Sequence, residues 1–594
     1  MMNHCLGVER SFLGQAWHER LDGVSHSHAL AMVQRHGLPD LLARVLAGRG
    51  VTAESCQSFL QPTLRTLMPD PATLVDMDRA TERLAQAVER DEQVAIFGDY
   101  DVDGAASAAL LANFLRSAGL EPLVHIPDRL TEGYGPNETA IGKLATRGAR
   151  LLVTVDCGTA SLGPLAAARR HGLDVIVLDH HRAPAELPPA SALVNPNRLD
   201  DLSGLGHLCA AGVVFMTLVG LNRRLRQTGF WKGRTEPDLL ADLDLVALAT
   251  VADVVPLVGL NRAFVTKGLA VMRERARPGL RALFDVAGAD GPPTAFQLGF
   301  LIGPRINAGG RIGDSSLGAR LLMTEDPLEA RQVAEQLDRL NRERRVVELA
   351  AVEEAEAEAL AKLVGASGDD ACLVCASPDW HPGVLGLVAA RLKERYGRPV
   401  FALSIAGDTA VGSGRSVVGL DLGGAVVAAV AGGLVHKGGG HALAAGVTVA
   451  ADKLEAFRAF LNDHFAASIG EARAGAALPV DATLSARALT PELIAALENA
   501  GPFGAGHPEA IVAFPRVSLK TVQVVGTDHI RVGAETPEGV KLQAVAFRAA
   551  GSPLAAELQR GIGRSVHLAG TLALNRWGGG AGRAELRLVD AALA

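Results

Sequence analysis

Residues 94–107 read VAIFGDYDVDGAAS. Residues 94–97 are a short apolar run of the length expected for a buried parallel strand. Gly98 ends it, and carboxylates follow at alternate positions: Asp99, Asp101 and Asp103. Gly104 and the small residues after it open a helix predicted to continue through Leu115. Three carboxylates within five residues repel one another, and gathering them at a strand end costs free energy unless a cation offsets the charge. Oxygen ligands this close suit hard divalent ions such as Mg²⁺ or Mn²⁺. An isolated Asp-x-Asp is more often a solvated acidic turn; the position of this one and its company further along favour a metal.

Working outward, residues 91–260 alternate strands with helices, an α/β pattern. The segment LEPLVHIPDR supplies a second strand, and LTEGYGPN (130–137) is a glycine-containing loop suited to face a substrate. Residues 149–155 form a third strand ending on Asp156, and residues 174–178 a fourth ending on Asp179, His180 and His181. Ligands of open parallel sheets bind beyond the carboxyl ends of the strands, so three strands bring Asp and His to one edge. Residues 245–256 (LVALATVADVVP) read as a fifth strand carrying a lone carboxylate, Asp253. A buried unpaired carboxylate needs a cation or a cluster of donors, and a metal is favoured over a cap or turn role.

The remaining composition sets limits. The 594 residues suggest about four domains. A hydrophobic content of 48% with 21% charged residues describes a globular chain with ample core, and a net charge of −7 gives no global basic field. Six scattered cysteines exclude a disulfide framework. Cys372 and Cys375 lie in the apolar run ACLVCA, where an offset of three on a strand points them to opposite faces, as core residues. The start has no apolar leader and no uncharged apolar run reaches 18 residues, so a cytoplasmic protein is expected.

Residues 1–90 read as a helical N-terminal region, with helix periodicity at 36–46 and 77–90 and Pro62, Pro69 and Pro71 between. Arg305, Asn307 and Arg311 fall in a Gly-rich stretch read as a loop, where arginines on flexible backbone suit phosphate clamping. Residues 326–363 form a long helix with a basic stripe, RLNRERR (339–345), read as solvated. A second lobe at 369–465 carries Ser413 and Arg415 after a glycine turn, and the run GGGH, 438–441, suited to phosphate approach. From 478 onward, short strands and a glycine-rich turn (WGGGAG, 577–582) predict a small β-barrel, with Phe547 and Trp577 as candidate stacking or core aromatics.

GDYDVDG, TVDCG, LDHH and ATVADVVPL, in that order, resemble the DHH phosphoesterase superfamily. IGPRINAGGRIGD, WHPGVLGLVAARL, GSGRS, HKGGGHALAAG and PFGAGHPEA narrow the resemblance to the RecJ single-strand-specific exonucleases, from about residue 40 onward. One departure is Ala106, where the family usually carries Thr or Ser. The resemblance implies an α/β, two-lobed DHH phosphoesterase: an N-terminal helical region (1–90), a parallel-sheet catalytic lobe (91–325), a connector helix (326–368), a DHH-associated lobe (369–465) and a C-terminal OB-fold barrel (478–594).

It further implies a metal-dependent 5′→3′ exonuclease that hydrolyses single-stranded DNA to 5′-mononucleotides in repair and recombination. Two ions, Mn²⁺ or Mg²⁺, are implied on Asp101, Asp103, Asp156, His180 and Asp253, with Asp99 either a ligand or behind one, and Asp156 bridging. His181 is implied at the phosphate or the leaving oxygen, oriented by Asp179. Substrate contacts are implied at Tyr134, Arg305, Asn307, Arg311, His381, Ser413, Arg415, Gly439, Gly440 and His441. Expected partners are single-stranded DNA, a helicase and a single-strand-binding protein, with no membrane and a monomeric chain. The runner-up activity is a phosphodiesterase of very short oligonucleotides or cyclic dinucleotides, disfavoured by the barrel and the N-terminal region. A degenerate scaffold that only binds replication proteins is disfavoured by retention of every expected ligand.

Overall fold

The computed structural model describes residues 4–129, 131–364, 370–475, 477–575 and 582–594; Trp577 and most of the turn at 577–582 lie outside them. The chain divides into two compact units, 63–473 and a second made of 1–62 with 474–594.

The larger unit is built on a five-stranded parallel sheet in the order Leu123–His125, Val94–Gly98, Leu151–Val155, Asp174–Leu178, Ala192–Val194. Successive residues serve two cores. Ile96, Val153 and Ile176 pack in one apolar cluster, while Ala95, Phe97, Leu152 and Val175 pack in another on the opposite face. That is why these strands are apolar throughout rather than alternating with polar residues. Val94–Gly98, the first of these five in chain order, is interior to the sheet, so the strand order reverses between Val94–Gly98 and Leu151–Val155. Loops diverge there and leave a crevice at the carboxyl edge.

Residues 245–252, expected as a strand, belong to the helix Leu243–Ala252, and Asp253 is its C-cap. Leu245, Val246, Leu248 and Ala249 are all fully buried, so the helix is apolar on every side and shows no 3.6-residue pattern to separate it from a buried strand. The stretch with Arg305, Asn307 and Arg311, expected as a loop, is the helix Gly303–Ile312. Its glycines serve contact rather than flexibility: a Cβ on Gly310 would sit 2.8 Å from the Tyr100 carbonyl oxygen.

The helix Pro327–Val364 follows, close to the expected bounds, and its exposed Arg339 and Arg342 face Glu343 and Asp338 on the same helix. It leads to a mixed sheet in the order Lys437–His441, Ala444–Ala450, Thr409–Arg415, Val400–Ala406, Leu373–Ser377. Cys372 and Cys375 lie in separate apolar clusters, as their offset predicts. The GGGH run is an edge strand, and the glycines beside Ser413 and Arg415, expected as a turn, lie inside the strand Thr409–Arg415.

In the smaller unit, Val512–Val525, His529–Glu535, Lys541–Ala546, Arg583–Leu593 and Ser565–Asn575 pair in that order, and Ser565–Asn575 returns to Val512–Val525 to close a barrel. Residues 1–90 are not a region of their own. Trp17–Glu19 pairs in parallel with Leu478–Val480, and the buried Trp17 indole N–H donates to Asp590 Oδ2 at 3.0 Å. Buried Asp481 accepts from Arg49 and forms an ion pair with Arg20 Nε at 2.9 Å. The helix Met77–Glu89 instead buries Ala80, Leu84 and Val88 in the larger unit's core. The periodicity at 36–46 spans two helices, Gly23–His36 and Asp40–Ala47, separated by left-handed Gly37 and Pro39. Among the described residues no helix is long and apolar enough to cross a membrane.

Candidate active site

Asp99, Asp101 and Asp103 leave the end of Val94–Gly98 directly into the helix Val102–Ser117. Asp101 is its N-cap and accepts from Asp103 N at 2.9 Å and Gly104 N at 3.1 Å. Gly104 is needed because a Cβ there would lie 2.3 Å from the Asp99 carbonyl oxygen. Asp103 points the other way and accepts from Ala210 N (2.7 Å) and Ala211 N (2.8 Å), at the positive end of the helix Ala210–Thr228. Ala106, at the departure from the family pattern, is fully buried.

Asp156 follows the neighbouring strand with φ 61°, a left-handed conformation unusual for a non-glycine residue. His180 Nε2 lies 3.3 Å from Asp156 Oδ1, 3.6 Å from Asp253 Oδ2 and 3.7 Å from Asp103 Oδ2. Ligand atoms within 4.8 Å of one another define three overlapping sets: Asp103, His180 and Asp253; Asp99, Asp101 and Asp156; and Asp156, His180 and His181. All six expected ligands are therefore brought together, although Asp253 arrives from a helix end.

Asp99 Oδ1, Asp156 Oδ1 and His180 Nε2 are buried atoms without a hydrogen-bond partner among the described residues. Native proteins rarely leave such groups unsatisfied unless an ion or water meets them. Burial, and then the neighbouring carboxylates, push Asp99 and Asp156 well above the usual carboxylate range, and Asp253 up to about 9. A hard, oxygen-preferring dication fits this donor set of carboxylates and one imidazole without a thiolate.

His181 Nδ1 donates to Asp179 Oδ1 at 2.8 Å. Burial would lower the imidazole, but Asp179 and the nearby Asp253 and Asp99 outweigh it and raise His181 to about 9. Asp179 is fully buried, yet bonds from His181 and Thr159 N hold it well below the usual range. The Tyr134 hydroxyl lies 3.4 Å from the His181 ring and the ring packs edge-on to it. Two residues absent from the sequence reading fix this pair from behind. Asn195 Nδ2 donates to the His181 carbonyl at 2.8 Å, and Asn197 Nδ2 to that of His180 at 2.6 Å. Their signal was the short apolar strand Ala192–Val194 just before them.

Beside the carboxylates lies a cluster of cations. Arg311 Nη1 reaches the Gly383 carbonyl at 3.1 Å, and Arg415 Nη1 bonds Ser413 Oγ and the Gly414 carbonyl. Burial, then Arg129, Arg344 and Arg415, lower Arg311 to about 10; burial and Arg129 lower Arg415 and His381 as well. Arg129, missed from the sequence, packs over the Tyr100 ring at 5.3 Å. Among the described residues, none of Arg129, Arg311 and Arg415 has a carboxylate in ion-pair distance, so the cluster favours an anion. Asn307 differs: its Oδ1 accepts from Val102 N at 3.1 Å, tying its helix to the loop of Asp99, Asp101 and Asp103. Arg305 is not in the cluster. Its Nε pairs with Asp338 at 2.9 Å and its Nη1 donates to the Leu301 carbonyl, bracing two helices.

In the second sheet Arg415 lies in register with Ala444 and His441, and Ser413 with Gly446 and Gly439. Registered residues share a face, so two glycines and an alanine make a floor between Arg415 and exposed His441. Gly440 alternates to the other side, at φ 155°.

The description "DHH family, N-terminal domain" matches residues 93–250, "DHHA1 domain" residues 369–467 and "RecJ OB domain" residues 480–590. The chain is 39% identical to the single-stranded-DNA-specific exonuclease RecJ of Dickeya dadantii, over 86% of this chain and 89% of that one. The chain belongs to the RecJ exonuclease family. RecJ of Escherichia coli is 37% identical over the same shares, and RecJ of Bacillus subtilis 34% over 94% of this chain and 69% of its own. The crystal structure of RecJ in complex with Mn²⁺ from Thermus thermophilus is similar with a TM-score of 0.77 at 28% identity, covering 95% of this chain and 78% of that one. The RecJ assignment accounts for the DHH lobe, the associated lobe and the barrel together.

Proposed function

We propose that this chain is a divalent-cation-dependent exonuclease that hydrolyses single-stranded DNA from the 5′ end, releasing 5′-mononucleotides, in DNA repair and recombination. The observation that carries the reading is the convergence of the orphaned Asp99, Asp156 and His180 atoms beside arginines without carboxylate partners. The Mn²⁺- and Mg²⁺-bound relatives support these ions as cofactors. His180, Asp103, Asp156 and Asp253 would hold one ion, and Asp99, Asp101 and Asp156 the other, with Asp156 common to both. When bound, the ions supply Lewis acidity, which acidifies water and offsets charge on the phosphate.

The protein's own groups do the rest. Arg311, Arg415 and Arg129 receive the terminal phosphate, with Ser413, His381 and the Gly439–Gly440–His441 edge around the nucleotide. Tyr134 covers the imidazole side. Nδ1–H of His181 is committed to Asp179, and the carboxylates that raise the ring to about 9 keep it an imidazolium, so Nε2–H supplies the proton that goes to the leaving 3′ oxygen. Arg305, held by Asp338, keeps the helix of Asn307 and Arg311 in place. The barrel holds the strand further along, as OB-folds bind single strands. The enzyme works in the cytoplasm as a monomer, on strands that a helicase opens and a single-strand-binding protein coats.

The test uses single strands labelled at either end in turn, with and without Mn²⁺. Mononucleotides appearing at once from 5′-labelled strands, and only with metal, meet the proposal. Release first from the 3′ end, or cleavage in a chelator, overturns it.

A further inference from the structure

The helix bearing Asn307 and Arg311 starts before Gly303. Thr294 and Gln297 form a capping box for Ala295–Gln297, Leu298–Ile302 widens into a π-helical turn, and Gly303–Ile312 continues the rod through right-handed helical backbone. On its first half stand Phe296 and Phe300, 62% and 69% exposed. Their rings are stacked, with centroids 4.8 Å apart and an interplanar angle of 27°. Leaving two adjacent phenyl rings in water forgoes the burial that such side chains normally provide. In a chain with only 4% aromatic residues, the pair calls for a role.

Its placement supplies one. Phe296, Phe300, Asn307 and Arg311 all stand on this one continuous rod, the phenylalanines on its first half and the other two beyond the π-turn. Gly299 and Gly303 bring the rod against the end of the helix that delivers Asp253: a Cβ on Gly299 would lie 3.5 Å from Val251 Cγ1, and one on Gly303 3.3 Å from Ala252 Cβ. Along the axis, Phe300 stands about 10 Å and Phe296 about 16 Å from Asn307. Arg311 marks the phosphate end of this rod and the phenylalanines the other end. π-turns are frequent at functional sites, and this one separates the two halves.

We propose that Phe296 and Phe300 form a stacking platform for bases of the DNA strand a few nucleotides 3′ of the scissile bond. The inference rests on the exonuclease reading above and adds how the strand is gripped. Every base has a π-face, so stacking binds without sequence preference. It requires bases freed from pairing, so the platform also favours single strands over duplex.

The test combines protein and substrate changes. Ten-nucleotide strands carrying one abasic residue, walked from the second to the fifth position, are hydrolysed with Mn²⁺ by the wild type and by F296A/F300A. In the wild type, abasic residues at two adjacent positions raise KM by roughly ten-fold or more, the scale of a lost stacking contact. F296A/F300A raises KM on the intact strand similarly, and the abasic residues then add nothing. F296W/F300W restores the wild-type KM. A wild-type enzyme indifferent to every abasic position overturns the proposal without any variant. Equal abasic penalties in wild type and F296A/F300A also overturn it, and would assign the rings to a protein partner. Failure of the wild type to cleave any single strand is a different result, which removes the exonuclease reading as well.

Discussion

His181 Nδ1 lies 2.8 Å from Asp179 Oδ1, and that carboxylate also accepts both His180 N and His181 N. One buried side chain thus sets the backbone of the imidazole that meets Asp103, Asp156 and Asp253, and the charge of its neighbour. Replacing His181 with Ala should leave bound metal unchanged and lower kcat by about 10²–10⁴-fold, the scale of a lost proton-transfer group. Metal analysis alongside single-turnover rates checks this. A drop in metal content would instead make His181 a ligand.

Asp179→Asn removes the main group that raises His181 above its ordinary value. An imidazole acting as an acid loses activity as pH climbs through its pKa. The alkaline limb of the kcat profile should therefore move to lower pH in the variant, with a reduced plateau. An unmoved limb would show that a different group sets it.

Asp253 is raised to about 9, and Asp99 and Asp156 well above their usual range, by burial first and by mutual repulsion second. A carboxyl whose folded value is raised contributes stability when protonated, and that contribution fades as pH rises through the folded value. Protein stripped of metal should therefore lose thermal stability as pH rises from about 4, where an unfolded carboxyl titrates, to about 9. Added Mn²⁺ should raise Tm more at the alkaline end, with protons released on binding. Calorimetric titration in buffers of different ionisation enthalpy measures that release. An equal Tm gain at both ends contradicts the linkage.

Residues 1–62 share an apolar cluster with the barrel, through Met32, Leu42 and Leu46 beside Val512, Phe514 and Leu568. A truncation that removes only the barrel would strip these side chains of their partners. The fragment 63–473 should instead be soluble and should cleave four-nucleotide strands at a rate close to the full chain. Its affinity for forty-nucleotide strands should fall far more than for short ones, at fixed salt because phosphate contacts are screened. Equal losses for both lengths would rule out this division of labour.

Most of the Asp and His cluster was legible because Asp99, Asp101, Asp103, Asp156 and His180 follow apolar strands, and strand ends at a crevice collect function. Asp253 was legible as a residue but not as a helix cap, since a helix buried on all sides hides its period. Arg305 was misplaced because nothing local reveals that Asp338, 33 residues on, stands opposite its guanidinium. Arg129 was passed over because it follows an ordinary strand, and only the fold carries it to Tyr100 and Arg311. Asn195 and Asn197 act through backbone carbonyls, a role with no residue-type signature. The partnership of 1–62 with 474–594 is the least local feature, and no pattern within either segment announces it.

The pairing of Trp17–Glu19 with Leu478–Val480 also fixes a timetable for biosynthesis. Trp17–Glu19 leaves the ribosome before residues 63–473 but finds its partner strand only after that entire larger unit has been translated. At typical elongation rates that delay is roughly 20 to 80 s. Throughout it, a nascent Met32, Leu42 and Leu46 stay uncovered while the larger unit folds behind them. Residues 1–62 are thus made before the larger unit and completed only after it.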